Sequence, residues 1–172
     1  MLQVLGSIMI FAGTLGIGYE VIDKKRKIIH VIEKWEWILQ LFVSEIIYKK
    51  QPLNFACMEI GEKVGGKERK LLLCVSKRMV ETQRGQFQQI WIEECKKYCK
   101  EEDLESTQIE LIMDLGVITG FEDEESQKRM MEAQKEKWKN VRIQKQEEFR
   151  ERKRLILSLS PCIGLLIILV LW

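Results

Sequence analysis

The chain has 172 residues, with 28 basic and 26 acidic side chains and a formal net charge of +2. This near balance argues against a general nucleic-acid-binding protein, which would carry a clear basic excess. Leu, Ile, Lys, Glu and Gln dominate, there are only two prolines, and alternating runs of β-branched residues are missing. We therefore predict an all-α protein.

Both ends of the sequence are apolar, and each carries a basic cluster on its inward side. Residues 1–19 contain no charged side chain and are followed by the cluster at 24–27, while the cluster at 150–154 precedes the apolar residues 155–172. A helix of the latter length spans about 27 Å, close to the ~30 Å hydrocarbon core of a bilayer. We predict two terminal transmembrane helices, and the positive-inside rule places the region between them in the cytoplasm.

The predicted domains are a membrane anchor at 1–22, a cytoplasmic helical bundle at 23–154 and a second transmembrane helix at 155–172. The first apolar stretch lacks a basic start and a cleavage pattern, so a retained anchor is favoured over a signal peptide. Each span contains two small residues four apart, a spacing that allows membrane helices to approach closely. The predicted packing residues are Ala12, Gly16, Ser160 and Gly164. Membrane lipids are therefore expected partners.

Helical spacing divides the region between the spans into six segments. The first runs from about Lys24 to Tyr48, with one apolar face formed by Ile28, Ile32, Trp35, Leu39, Phe42 and Ile46. Pro52 suits the first turn of the second helix, which Gly65 and Gly66 end. The third helix stops near Gly85, and the fourth runs from Gln86 to about Lys100.

A capping box of Thr107 and Glu110 predicts the start of the fifth helix, and Gly120 its end. The sixth helix is expected to begin at the acidic residues 122–125 and to run without a break into the second span. The turns at 48–52 and 120–123 then lie together at the end of the bundle far from the bilayer, here called the distal tip. The sequence thus predicts a cytoplasmic six-helix bundle flanked by two terminal transmembrane helices.

The sequence offers no convincing catalytic, cofactor or metal site. Residues 61–67 fit the spacing of a phosphate-binding loop, but Glu68 stands where that loop needs a hydroxyl, so we interpret them as a turn between helices. Cys95 and Cys99 lie one helical turn apart, but His30 is far away and two further zinc ligands are missing. The cysteines are interpreted as reduced packing thiols. We expect a protein that is not an enzyme.

Two short motifs resemble a known family, the stage III sporulation protein AB family. The first lies between the first two cytoplasmic helices and contains Glu45, Tyr48 and Pro52. The second lies between the last two and contains Gly116, Gly120, Asp123 and Gln127. Together with the chain length and the two apolar ends, these motifs extend the resemblance over essentially the whole sequence.

The resemblance implies a role in endospore formation, in the mother-cell membrane around the forespore. The protein would be one part of a secretion-like channel complex, with the other stage III A proteins as partners, among them a secretion-type ATPase. The family is also similar to the membrane platform protein of type II secretion and type IV pilus systems. No catalysis is known for the family, which agrees with the absence of a catalytic motif here.

Several alternatives stay open at this point. The motif residues could be purely architectural or could contact a partner. If they contact a partner, we expect the ATPase to dock at the distal tip through Glu45, Asp123 and neighbouring carboxylates. The basic residues between 128 and 154 are interpreted as a solvated face with a membrane-flanking cluster, rather than as a nucleic-acid or lipid-headgroup site. A membrane-anchored regulator or sensor that binds a cytoplasmic signalling partner is the alternative function, and a homo-oligomer is left open. A conducting subunit is disfavoured because neither span contains an ionisable side chain.

Overall fold

The computed structural model describes the backbone of residues 2–81, 87–118 and 124–171, and most side chains outside the terminal stretches 2–18 and 160–171. These residues form six α-helices, and no strand occurs among them, so the predicted all-α class is confirmed. The helices are α1 (Leu2–Val43), α2 (Leu53–Val64), α3 (Gly66–Glu81), α4 (Phe87–Glu101), α5 (Ser106–Ile118) and α6 (Glu124–Leu171), and a π-helical turn (Ser44–Tyr48) directly follows α1.

The chain divides into two compact units. One unit consists of residues 31–141, and the other of residues 1–30 together with residues 142–172. Helices α1 and α6 are each continuous and contribute residues to both units. Among the residues described, no helix combines the length and the apolar character that crossing a bilayer requires.

Helix α2 begins after a proline and ends at a glycine, as predicted. Pro52 directly precedes α2, with a φ of −55° that its ring fixes. At the other end, Gly65 and Gly66 have φ values of 71° and 67°. L-residues with a side chain rarely adopt this left-handed conformation, so two successive glycines allow α3 to begin directly after α2.

Helix α5 begins at Ser106, one residue before Thr107 of the predicted capping box. The Glu105 backbone N–H donates to Oε1 of Gln108 at 2.8 Å, and the Gln108 N–H donates to the Glu105 carbonyl at 2.9 Å. A glutamine at the third helical position that reaches back to the residue before the helix is one half of a capping box. The predicted pair of Thr107 and Glu110 is therefore wrong, because Gln108 satisfies the free donor at the helix start.

The predicted apolar face of α1 forms the centre of unit 31–141. Its fully buried members are Ile32, Trp35, Leu39 and Phe42, and Ile38 of the same helix is also fully buried. Two of these residues contact the indole of Trp91 from α4, whose ring centroid lies 6.2 Å from that of Trp35 and 6.0 Å from that of Phe42, both in edge-to-face orientation. Buried aromatic pairs of this geometry stabilise by roughly 0.5–1.5 kcal/mol beyond the burial of their area.

A chain of polar contacts crosses this apolar core. The indole N–H of Trp35 donates to the Tyr98 hydroxyl at 3.2 Å, and that hydroxyl donates to Oε1 of Glu68 at 2.8 Å. The ammonium of Lys34 binds the other oxygen of Glu68 at 2.6 Å. Burial is the main reason why the pKa of Tyr98 lies well above its ordinary value, so the phenol keeps its proton and remains a donor.

Replacing Tyr98 with phenylalanine should destabilise the protein by about 1–3 kcal/mol, because it leaves the Trp35 N–H and one oxygen of buried Glu68 without a partner. Thermal unfolding of the full-length chain, followed by tryptophan fluorescence, measures this loss. Tyr48→Phe is the matched control, since the Tyr48 side chain is 73% exposed and its hydroxyl can bond to water. Equal melting temperatures for the two variants would contradict the structural role of the Tyr98 hydroxyl.

Candidate functional site

The first sequence motif folds as the tight connection between α1 and α2. The π-helical turn is closed by the Lys49 N–H, which donates to the Ser44 carbonyl at 3.1 Å. The Gln51 N–H donates to the Glu45 carbonyl at 3.0 Å. Lys50 between them has a φ of 53°, an uncommon conformation for a residue with a side chain. The local hydrogen bonds hold the chain in this conformation and turn it from α1 towards Pro52.

Glu45 anchors this connection from the inside. Its side chain is 1% exposed, and its carboxylate receives the ammonium groups of Lys63 from α2 at 2.7 Å and of Lys49 at 2.9 Å. Hydrogen bonds from Lys63 and then Lys49 hold the pKa of Glu45 below its ordinary value, although burial opposes them. The carboxylate is therefore ionised at neutral pH and ties the end of α1 to α2.

Tyr48 and Pro52 lie on the outside of the same connection, and both are exposed. Phe55 of α2 follows them in sequence and is 51% exposed. A patch of large apolar side chains that remain exposed to water commonly marks a contact site for a partner. The motif thus contains one buried anchor and two exposed side chains.

Gly116 of the second motif lies against the central tryptophan. A Cβ atom on Gly116 would lie 2.4 Å from Cδ1 of Trp91 and 2.8 Å from its Cγ, distances that no real contact allows. The Trp91 indole N–H donates to the Ile112 carbonyl at 2.9 Å, one turn earlier on α5. Glycine at 116 therefore allows α5 to approach α4 closely enough for this bond.

The other residues of the predicted site are only partly within the structure. Gln127 is half-buried in the first turns of α6, whereas Gly120 and Asp123 lie outside the described residues. Among the predicted span-packing residues, Ala12 and Gly16 belong to α1 and Ser160 and Gly164 to α6. The side chains of Ala12 and Ser160 and the surroundings of Gly164 lie outside the described part, so the pairing of the spans stays a prediction.

Glu94 of α4 was not identified from the sequence and is a third buried carboxylate besides Glu45 and Glu68. It receives Arg78 Nη1 of α3 at 2.7 Å and Lys97 at 2.8 Å, and the Cys74 thiol donates to it at 3.4 Å. Burial alone would raise the pKa of Glu94, but these hydrogen bonds outweigh it and lower that pKa. Glu94 thus joins α3 to α4 as Glu45 joins α1 to α2.

The cysteines of the bundle are packed as thiols. Burial raises the pKa of Cys57 and Cys95 well above the ordinary value, and that of Cys99 to about 11. A thiol of such high pKa is a poor nucleophile at neutral pH, because the thiolate is the reactive form. In the portion of the chain that the structure covers, no three His, Cys, Asp or Glu side chains are grouped so as to hold a metal ion.

The comparisons with known proteins give the family. The family described as Stage III sporulation protein AB matches residues 3–172, nearly the whole sequence. The chain belongs to this family. The resemblance seen in the two motifs is therefore confirmed, and membership indicates a role in sporulation. It is a family of sporulation proteins and is not a known enzyme family.

A solved structure described as "Stage III sporulation protein AB (SpoIIIAB)" is similar to this chain with a TM-score of 0.64 and 18% sequence identity. The similarity covers 72% of this chain and 97% of that chain. At this level of identity, the likeness shows that the two proteins share a fold. No curated protein matches the sequence.

Glu45→Gln should destabilise the bundle by about 1–3 kcal/mol at neutral pH, because it removes a charge that two lysines bind. Since folding lowers the pKa of Glu45 from 4.5, its ion pairs stabilise fully above that value and are lost as the pH falls through the lowered pKa. The difference in melting temperature between parent and variant should therefore be constant from about pH 5.5 to 7.5 and shrink below about pH 4.5.

Glu59→Gln is the control for this measurement, since Glu59 is an exposed carboxylate on α2 and surface substitutions usually stay within about 0.5 kcal/mol. A difference for Glu45→Gln that does not change with pH would contradict the ion-pair assignment.

Gly116→Ala should cost about 1–3 kcal/mol, because the added methyl group must displace Trp91 from a filled core. Gly61→Ala is the comparison: its Cβ would lie 3.3 Å from Cγ of Leu73, a flexible and half-buried side chain. The loss at Gly61 should be smaller, or replaced by a gain from the better helix propensity of alanine. Chemical denaturation with tryptophan fluorescence measures both, and equal effects would argue against a special role of the contact with Trp91.

Proposed function

We propose that the protein is a non-enzymatic membrane platform subunit of a secretion-like channel complex required for endospore formation. The observation that carries this proposal is the family match, because it extends over residues 3–172 and thus includes both apolar ends as well as the helical bundle. A platform subunit holds other proteins at a membrane, and it needs a rigid domain and anchors rather than a reactive site.

The membrane anchors are part of this proposal. Residues 1–19 and 155–172 carry no charged side chain, and the basic clusters at 24–27 and 150–154 lie on their inward sides. With these clusters in the cytoplasm, both termini face outward and the bundle lies in the cytoplasm. The membrane that the two anchors cross is the mother-cell membrane around the forespore. The continuity of α1 and α6 supports this arrangement, since each carries one apolar end and part of the bundle in a single helix.

The buried acidic groups support a role in assembly rather than catalysis. Glu45, Glu68 and Glu94 each bind basic side chains, and each joins different helices. Breaking such a pair to free a carboxylate for chemistry would leave an uncompensated charge in the core, which costs several kcal/mol. These three carboxylates are therefore fixed parts of the bundle.

The proposed docking face for the secretion-type ATPase of the same system is the connection between α1 and α2, together with the acidic residues 122–125. Tyr48, Pro52 and Phe55 offer exposed apolar contact area there, and tyrosine is enriched among the residues that dominate binding energy at interfaces. Glu45 contributes by holding the connection, since Lys49 and Lys63 already neutralise it. The neighbouring carboxylates would meet basic groups of the ATPase.

Full-length chain reconstituted into liposomes should resist extraction by alkaline carbonate and should bind the purified ATPase in a flotation assay. Tyr48→Ala combined with Phe55→Ala should weaken binding about tenfold or more, because truncating a residue that dominates an interface costs about 2 kcal/mol or more. Glu122→Lys combined with Glu125→Lys should also weaken binding. High salt should reduce the difference between parent and variant, because it screens exposed charges.

Trp37→Ala combined with Ile143→Ala is the control, since both side chains are exposed apolar groups and lie 11 residues before Tyr48 and 18 residues after Glu125 along the chain. Binding of the Tyr48 and Phe55 variant at the parent level, with an unchanged melting temperature, would refute this docking face. Extraction of the parent chain by carbonate would refute the membrane platform itself. Co-purification of a soluble signalling protein in place of the ATPase would favour the membrane-anchored regulator.

A further inference from the structure

A small recess lies in the unit formed by residues 1–30 and 142–172. Three residues of α1 line it at helical spacing, and four residues of α6 line it on one face. They are Lys25, Ile28 and Ile29 from α1, and Lys145, Glu148, Phe149 and Arg152 from α6. The recess itself holds about 10 Å³, the space of a single water molecule, so a larger ligand would sit at its mouth.

The charges around this recess are mainly positive. Three cationic side chains face one carboxylate, Glu148, whose Oε2 lies 3.8 Å from Nζ of Lys145, beyond hydrogen-bonding distance. Its other oxygen accepts a bond from the Gln144 amide at 3.2 Å. Counted over the seven lining residues, three positive charges stand against one negative charge, so the lining has a formal net charge of +2, which attracts an anion.

The remaining lining is apolar. Ile28, Ile29 and Phe149 are half-buried beside the cations. A free inorganic anion gains nothing from such side chains, whereas an amphiphile can place its charged group on the cations and its apolar part on the hydrocarbon surface. This combination of charge and apolar surface favours a phospholipid over a soluble phosphate.

We infer that this recess binds the phosphate group of an anionic phospholipid, with Lys25, Lys145 and Arg152 holding the phosphate oxygens and the three apolar side chains contacting the glycerol region. The inference rests on the proposed membrane anchors, which place the clusters at 24–27 and 150–154 at the level of the lipid headgroups. Arginine is suited to this task, because its planar guanidinium can donate two parallel hydrogen bonds to one phosphate. The site revises our interpretation of the basic part of α6, which was a solvated face with a membrane-flanking cluster rather than a lipid-headgroup site.

The test uses full-length chain in neutral detergent micelles, titrated with phosphatidylglycerol, with phosphatidylcholine or with inorganic phosphate, and native mass spectrometry counts the bound molecules. Phosphatidylglycerol should bind at least tenfold more tightly than phosphatidylcholine. Lys145→Gln combined with Arg152→Gln should weaken this binding about tenfold or more, since basic residues near the membrane surface attract anionic lipids. Glu148→Gln should instead strengthen binding severalfold, a gain that misfolding cannot produce.

Lys135→Gln combined with Lys139→Gln is the matched control, because it removes the same charge from the same helix outside the recess. Equal loss in this control would overturn the site and leave only a general charge effect. Saturation by inorganic phosphate alone would overturn the lipid assignment. A parent chain that resists carbonate extraction but binds both lipids equally would refute this inference while leaving the platform proposal intact, whereas a chain that carbonate extracts would refute both.

Discussion

The close contact between Gly116 and Trp91 is the constraint on which the bundle depends. Trp91 of α4 meets Trp35 and Phe42 of α1 at its edges and stacks near Phe87, 5.4 Å between centroids. Its indole N–H can reach the Ile112 carbonyl only because α5 presents no side chain at 116. Trp91 thus joins three helices, and the absence of a side chain at Gly116 leaves room for its ring.

Around this apolar centre, buried ion pairs fix which helices are neighbours. Glu68 joins α3 to Lys34 of α1 and to Tyr98 of α4, while Glu94 joins α4 to Arg78 of α3. Replacing a buried pair with well-packed apolar residues is often neutral or even stabilising, so such pairs are poor sources of stability. A wrong helix arrangement would leave these carboxylates without partners in the core. We therefore interpret them as determinants of the arrangement rather than of its overall free energy.

The helices themselves were predictable from the sequence, because their signals are local. The spacing of Ile32, Trp35, Leu39 and Phe42 gives the buried face of α1, and Pro52, Gly65 and Gly66 give the ends of α2. The partners of the buried polar groups were not predictable. Lys63 lies 18 residues from Glu45, and Tyr98 lies 30 residues from Glu68, so only the folded chain brings them together. Gln108 similarly escaped notice, because the residue three positions before it is Glu105 and not the serine or threonine that marks a capping box.

The difference between local signals and contacts that only folding creates also explains how much of the candidate site could be predicted. In the first motif, Glu45 and Tyr48 lie one turn apart in sequence, and nothing in the spacing separates the buried residue from the exposed one. The structure separates them through Lys49 and Lys63, which bind Glu45 and leave Tyr48 in water. A motif of this kind can specify a turn and display a contact residue at the same time, because the buried carboxylate fixes the backbone from which the exposed ring projects. An architectural role and a role in partner contact are then two parts of one arrangement.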